Sequence, residues 1–377
     1  MQKLPDRLHI VSFDNPFPPN YGGVIDVFYK LKALHDIGVK ITLHAFEYGR
    51  TPSRELNQFC DKVFYYQRRT FVNPFVGSVP YIVATRKDDE LLKNLLADNA
   101  PILFEGLHTC FFLDHPELKE RFKIVRMHNI EHDYYLKLEE VESNFFKKYF
   151  FSKESARLKT YQSVLHHANL ILAISKNDET YLRSHFKHVE LVWAFHSNEN
   201  ITSIEGKGDF ALYHGKLSVG ENDDAARFLV NHVFNDIDIP LFIAGNKPSS
   251  ELRRAAEDKP HVKIFDHLST EQITELIQKA HVNVLPTFQA TGIKLKMINV
   301  LYQGRFVIAN KTMVCNTGLE DLCLIADDAN GFKTLLHATM QKDFAETDMV
   351  KRKEILNKNF NNHQNAMLLK QFIFKNF

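Results

Sequence analysis

A helix that opens with a lysine sets that cation against the positive end of its own dipole, a conflict that a bound anion resolves. Residues 282–310, VNVLPTFQATGIKLKMINVLYQGRFVIAN, have this character. A strand is predicted to end at Pro286, a loop carries Gln289 to Thr291-Gly292, and a helix is predicted from Ile293 to Gln303. Gly292 lets the backbone come close to a ligand. The unpaired amides from Ile293 onward face that ligand, as helix N-termini do toward phosphate. Lys294 adds a cation in the first turn, and Lys296, Asn299 and Gln303 continue as one polar stripe. Asn299 lies about 9 Å along the axis from Ile293 at 1.5 Å per residue, so a ribose beyond a diphosphate comes within reach. An ordinary amphipathic helix explains the same spacing without a ligand.

Three other segments carry chemistry. Gly22-Gly23 in PPNYGGVIDVF precede a helix and can turn amides toward a phosphate, although paired glycines also occur in plain turns. Gly215-Lys216 in HGKLSVGEN place a sharp turn and a cation directly after a strand, and Asn222 is expected to cap the helix that follows. His128, Asn129 and Glu131 in IVRMHNIEHDYY follow a strand, where side chains of α/β folds collect, and suit hydroxyl binding and proton transfer. By the same positional rule Asp14 is a candidate catalytic group and Glu105 a candidate acceptor-binding one. Asp236-x-Asp238 has the form of a metal motif but precedes a strand instead of following one, so no metal site is expected.

These residues need a scaffold that presents strand ends. The opening LHIVSF, DNPFPPNYGG, VIDVFYKLKALHDIG and VKITLHAF read as strand, loop, helix and strand. Val24, Val27, Phe28, Leu31 and Leu34 recur at helical steps, and Gly38 stops the helix. Such βαβ units imply a parallel sheet. Further strands are predicted at 62–66, 102–105, 123–127, 170–174 and 190–194, and after residue 208 at 210–214, 241–244, 262–265, 282–286 and 306–310. The reading is two Rossmann-like doubly wound domains facing a cleft: 1–196, a polar linker 197–208, 209–362, and a C-terminal helix in 363–377 that packs back on the first domain. Ligands of such sheets sit at the strands' carboxyl ends.

GIKLKMIN resembles the donor-binding stretch of family 4 (group 1) retaining glycosyltransferases, in the branch with a G-x-K-x-K motif, at Gly292, Lys294 and Lys296. The Gly22-Gly23 loop, Lys216 after its strand and the HNIE segment are similar to that family's phosphate-facing loop, its basic residue and its acceptor-side stretch. The resemblance implies the GT-B fold. It implies retaining transfer of a hexose, mannose or similar, from a nucleotide-diphosphate sugar bound by the second domain. The acceptor, a saccharide or a lipid-linked one in surface glycan synthesis, would bind the first. It implies front-face displacement with His128, Glu131 and Asp14 as catalytic candidates, and no metal or other cofactor. Gln289 and Asn299 stand where the family commonly has glutamates; both hydrogen-bond but carry no charge. A nucleotide-sugar binder without turnover and a nucleotide-sugar epimerase therefore remain as alternatives. No G-x-G-x-x-G follows any strand, against a nicotinamide dehydrogenase.

The 47 basic and 46 acidic side chains leave a net charge of +1, which gives no global field for nucleic acid. Four cysteines outside any C-x-x-C pair read as free thiols in a reducing compartment. With no predicted signal peptide or membrane span, the expectation is a cytoplasmic protein able to touch the inner membrane face. Two segments, 65–77 and 144–159, mix aromatic and basic residues. Phe146, Tyr149 and Phe150 keep the core-helix period, so the second is expected to face the core with snorkelling lysines; an anionic lipid surface is the alternative.

Overall fold

A computed structural model describes residues 6–71, 73–142, 144–288 and 295–375. The chain divides into two compact units: 6–197 with 360–375, and 198–288 with 295–359. The first is built on seven parallel strands, β1 (Arg7–Ser12), β2 (Lys40–Glu47), β3 (Lys62–Gln67), β4 (Ile102–Glu105), β5 (Lys123–Arg126), β6 (Leu170–Ala173) and β7 (Val189–Leu191). Their order is β3-β2-β1-β4-β5-β6-β7. Because strand residues alternate between faces, Leu8, Ile10, Ile41 and Leu43 join one core while Val11, Phe46, Phe104 and Val125 join the other. Val24, Val27, Leu31 and Leu34 of helix Gly22–Asp36 cover the first face, together with Ala366, Leu369 and Ile373 of helix Asn362–Phe374. Gly38, at φ +81°, ends helix Gly22–Asp36 in the left-handed region.

The second unit carries six parallel strands, β8 (Ala211–His214), β9 (Leu241–Ala244), β10 (Val262–Phe265), β11 (Val282–Leu285), β12 (Phe306–Ala309) and β13 (Leu324–Ile325), ordered β10-β9-β8-β11-β12-β13. Both units are thus doubly wound, as the βαβ pattern predicts. In each the strand order reverses once, between β1 and β4 and between β8 and β11, and these switch points are where open parallel sheets hold ligands. Residues 198–208 are tied to the second unit: Thr202 N donates to Tyr302 O at 2.7 Å, and Gly206 bridges to Phe344.

Three expectations change. The seventh strand ends at Leu191 instead of Ala194, because Arg126 draws off the carbonyls of Val192 and Trp193. Asn222 does not cap its helix: the N-cap of Gly220–Phe228 is Val219, with no side-chain cap. The core-facing reading of helix Phe145–Tyr161 fails in its first half, where Phe146 and Tyr149 are exposed and only Glu154, Ser155 and Leu158 are buried. The four cysteines are free.

Candidate functional site

The first switch point collects charge that the fold has fully enclosed. Asp26 and Lys30 lie one turn apart on helix Gly22–Asp36, Glu105 ends β4 and Arg126 ends β5, and none is more than 1% exposed. Arg126 grips Asp26 with two nitrogens, both at 2.8 Å, and donates onward to the Val192 carbonyl. Lys30 Nζ reaches Asp26 at 2.8 Å and Glu105 at 2.9 Å. Burial alone would push both acids up, but Arg126 and Lys30 hold the Asp26 carboxyl well below its ordinary range, and Lys30 with His128 lowers that of Glu105. Two cations matched to two carboxylates close the network electrically, as buried charge requires. Asp26, Glu105 and His128 have the spacing of a metal trio, yet Lys30 and Arg126 already supply that positive charge.

His128 extends this network toward the strand ends. Its Nε2 meets Glu105 Oε2 at 2.9 Å, and its ring stands edge-on to Phe13 at 5.2 Å. Phe13 also packs on His108 and leaves no room at Gly23, where a Cβ would sit 2.6 Å from Cζ. A side chain at position 23 would therefore have to displace the Phe13 ring. Gly22 opens a helix with no capping side chain and no acid in its first turn, so its amides are not claimed by a cap. Asp14 is turned onto its own loop: Oδ1 accepts from Asn15 N at 2.9 Å and Oδ2 from Tyr21 Oη at 2.7 Å. Asn129 is half-buried in the turn before helix Glu131–Val141.

Glu131, the first residue of that helix, is 2% exposed, and among the described residues its Oε1 has no hydrogen-bond partner. His108 Nδ1, likewise unpartnered, faces it at 3.7 Å. Burial lifts the Glu131 carboxyl to about 8; Arg86 opposes the shift and Asp178 reinforces it. Burial, with Arg86 and His128 nearby, pushes His108 well down. At neutral pH the pair is a protonated acid beside a neutral imidazole, an arrangement that can give and take one hydroxyl proton. Sequence reasoning missed Asp26, Lys30, Arg126, Arg86 and His108. A signal existed for three of them: an i,i+4 acid–base pair bordering an apolar stripe, and an arginine inside a buried strand.

At the second switch point, Gly215 and Lys216 follow β8. Gly215 N donates to Ala244 O at 3.0 Å, and a Cβ on Gly245 would lie 1.9 Å from the Gly215 carbonyl oxygen. The turn thus needs a glycine at 245, which the sequence reading did not single out, while a Cβ on Gly215 would meet the Asn222 side chain at 3.1 Å. Lys216 is exposed. Asn222 donates to the Lys216 carbonyl at 3.1 Å and accepts from Lys296 Nζ at 3.0 Å, and Lys296 lies 5.2 Å from the Tyr213 ring centroid. Asn222 therefore ties the Lys296 ammonium to the main chain of the turn that carries Lys216. Burial, with Lys296 adding to it, drives the His214 imidazole down to about 3, so it is neutral. Asn299 Oδ1 accepts from Asn198 at 2.8 Å, which gives it a structural duty beside any ligand role. Gln289, Thr291, Gly292, Ile293 and Lys294 lie outside the described residues. Asp236 sits at the amino end of β9, paired with Lys333 at 2.6 Å.

Comparison with known proteins accords with this geometry. Residues 209–342 match the family model described as glycosyl transferases group 1. An uncharacterized 44.6 kDa protein in the cps region of Klebsiella pneumoniae is 25% identical over 350 residues, covering 85% of this chain and 88% of that one. Sucrose-phosphate synthase from Thermosynechococcus elongatus superposes with a TM-score of 0.71 at 16% identity, covering 99% of both chains. A single-site mutant of S. aureus TarM, solved with fondaparinux, α-GlcNAc-glycerol and UDP, gives 0.65 at 10% identity over 97% of this chain and 99% of its own. With a group 1 domain on the second unit and two doubly wound parallel-sheet units, the chain is a glycosyltransferase enzyme of the GT-B fold.

Proposed function

We propose that the chain is a retaining transferase that moves a hexosyl group, mannosyl or similar, from a nucleotide-diphosphate sugar to a saccharide or lipid-linked acceptor in surface glycan synthesis. The observation that carries the donor half is the Lys296–Asn222–Lys216 chain at the β8 switch point, within the segment that matches the group 1 model. The Lys296 ammonium, held beside the turn from which exposed Lys216 extends, suits a diphosphate. The G-x-K-x-K reading of Gly292, Lys294 and Lys296 adds helix amides and a third cation. The UDP in the TarM structure and the cps-region relative favour a nucleotide donor and a glycan product.

The acceptor is assigned to the first unit, at His128, Asn129 and Glu131. In front-face displacement the bond from the sugar's anomeric carbon to the diphosphate breaks, and the acceptor oxygen bonds to that carbon on the same face. The acceptor proton passes to a leaving phosphate oxygen, so no enzyme nucleophile is needed. His128, held by Glu105, and protonated Glu131 orient the acceptor hydroxyls. Asp14 shapes the loop before Gly22. Lysines and amides neutralise the leaving diphosphate without a metal ion.

The test is calorimetric titration with GDP, UDP, NAD and their sugar conjugates, with and without EDTA, on wild type and Lys294→Ala. Tight, EDTA-insensitive binding of one nucleoside diphosphate, weakened by the substitution, is expected. Turnover of the matching sugar nucleotide then separates a transferase from a silent binder, and its dependence on acceptor separates it from an epimerase. Binding that ignores Lys294, or that EDTA abolishes, would overturn the donor site.

A further inference from the structure

The first unit leaves a group of large aromatic side chains in water. Phe71 is 101% exposed, Phe145 75% and Phe146 77%, and Tyr149 and Phe75 are each 48% exposed. They belong to two segments far apart in sequence that meet in space: the Phe75 ring stacks on Tyr149 at 5.9 Å, and Arg157 donates to the Pro74 carbonyl at 2.6 Å. A single exposed aromatic means little, but the Phe75–Tyr149 stack with the adjoining Phe145–Phe146 pair one turn earlier on the same helix marks something to be covered.

Charge says what covers it. The whole chain is balanced, yet residues 65–77 and 144–159 together hold seven Lys and Arg against one acid, Glu154. Glu154 is fully buried, accepts from the Ile82 amide and lies 3.9 Å from Arg157, so it offsets one of the seven cations. Lys147 and Lys148 stand exposed directly beside Phe145 and Phe146. The acids that end the preceding helix, Glu139 and Glu140, are followed by Glu142, which is turned back onto the Asn144 amide. Between Phe75 and the helix lies an open groove of about 480 Å³ whose walls include Lys153, Arg157, Ser78 and Thr160. Two cations and two hydroxyls beneath aromatic rings match a phosphate headgroup at the boundary of an apolar layer.

We propose that this aromatic and basic face, the start of helix Phe145–Tyr161 with the loop around Phe71 and Phe75, docks the protein on an anionic lipid bilayer. The rings enter the headgroup–acyl boundary while Lys147, Lys148 and the groove cations engage lipid phosphates. No helix among the described residues is long and apolar enough to cross a membrane, so the contact is peripheral. The inference concerns lipid, not sugar chemistry, so its failure leaves the donor reading intact.

The experiment is co-sedimentation of the full chain with phosphatidylcholine vesicles, alone and with roughly 30% phosphatidylglycerol. Wild type should pellet with the anionic vesicles only and be released at high salt, as screening shortens the reach of its cations. Lys147→Gln with Lys148→Gln should weaken partitioning about 25-fold, each lysine contributing about fivefold. Phe145→Ser with Phe146→Ser should weaken it at least about tenfold. All four side chains are exposed, so the thermal midpoint should not move. Wild type that ignores anionic vesicles, or variants that bind as wild type does, would overturn the proposal. So would a dimer in solution that Phe145→Ser with Phe146→Ser disperses, since a second copy would then be what covers the face.

Discussion

Replacing Glu131 with glutamine tests the site's most unusual feature without changing its shape. The native carboxyl holds its proton up to about pH 8, while the unfolded chain releases it near 4.5. Between those values the folded state binds one more proton than the unfolded state, so stability falls as pH rises through the window. Glutamine mimics the protonated acid and removes that dependence. The urea-derived stability of Glu131→Gln minus that of wild type should therefore grow by about 1.4 kcal/mol per pH unit, or about 2–3 kcal/mol between pH 5 and pH 7. His108, Arg86 and Asp178, the charged and titratable groups around Glu131, are present in both proteins and largely cancel in the difference. Two stability curves that run parallel from pH 5 to pH 7 would show that Glu131 ionises in the fold. The protonated acceptor-side acid would then be lost.

The buried network gives a second expectation: Lys30→Met leaves Glu105 and Asp26 with one cation between them and should cost about 3–5 kcal/mol in urea unfolding. Gly245→Ala drives a methyl into the Gly215 carbonyl and should displace the turn that carries Lys216. Nucleoside diphosphate affinity should fall at least about tenfold by calorimetry, with a stability loss of about 1–3 kcal/mol. Asn222→Asp sets a carboxylate where Lys296 now donates to a neutral carboxamide at 3.0 Å, adding a full negative charge beside it. Diphosphate affinity should drop about tenfold with stability unchanged or raised; unaltered affinity would mean that Lys296 does not read the anion.

The strands were legible because each is a short apolar run bounded by loop residues, and a parallel strand buried on both faces has that composition. β13 was not, since Leu324-Ile325 is too short to show a period. Gly22, Gly23, Gly215 and His128 could be singled out because position after a strand is itself a signal, whereas Gly245, also directly after a strand, was passed over. The charges beneath them were hidden for a physical reason: Lys30 and Arg126 look like surface residues, the Asp26–Lys30 pair one turn apart reads as an ordinary helix-surface pair, and the partners that enclose it, Glu105 for Lys30 and Asp26 for Arg126, lie 75 and 100 positions away. Periodicity misled at Phe146 and Tyr149 because it reports which residues share a face, not whether anything covers that face.

The two switch points share a topology and differ in electrostatics. At the first, Lys30 and Arg126 are already matched by Asp26 and Glu105 inside the fold, so an arriving anion meets a neutralised network. A polar neutral ligand meets His128, His108 and a protonated Glu131 instead, groups suited to hydroxyls. At the second, the Lys296 ammonium donates to the neutral Asn222 carboxamide at 3.0 Å, and the acid Glu221 accepts a hydrogen bond from Thr287. A carboxylate at position 222 would give the same geometry and remove the field. This contrast supports putting the diphosphate on the second unit and the sugar hydroxyls on the first. It rests on the observed partners, two carboxylates around Lys30 and Arg126 in the first unit and a neutral carboxamide at Lys296 in the second, independently of any sequence motif.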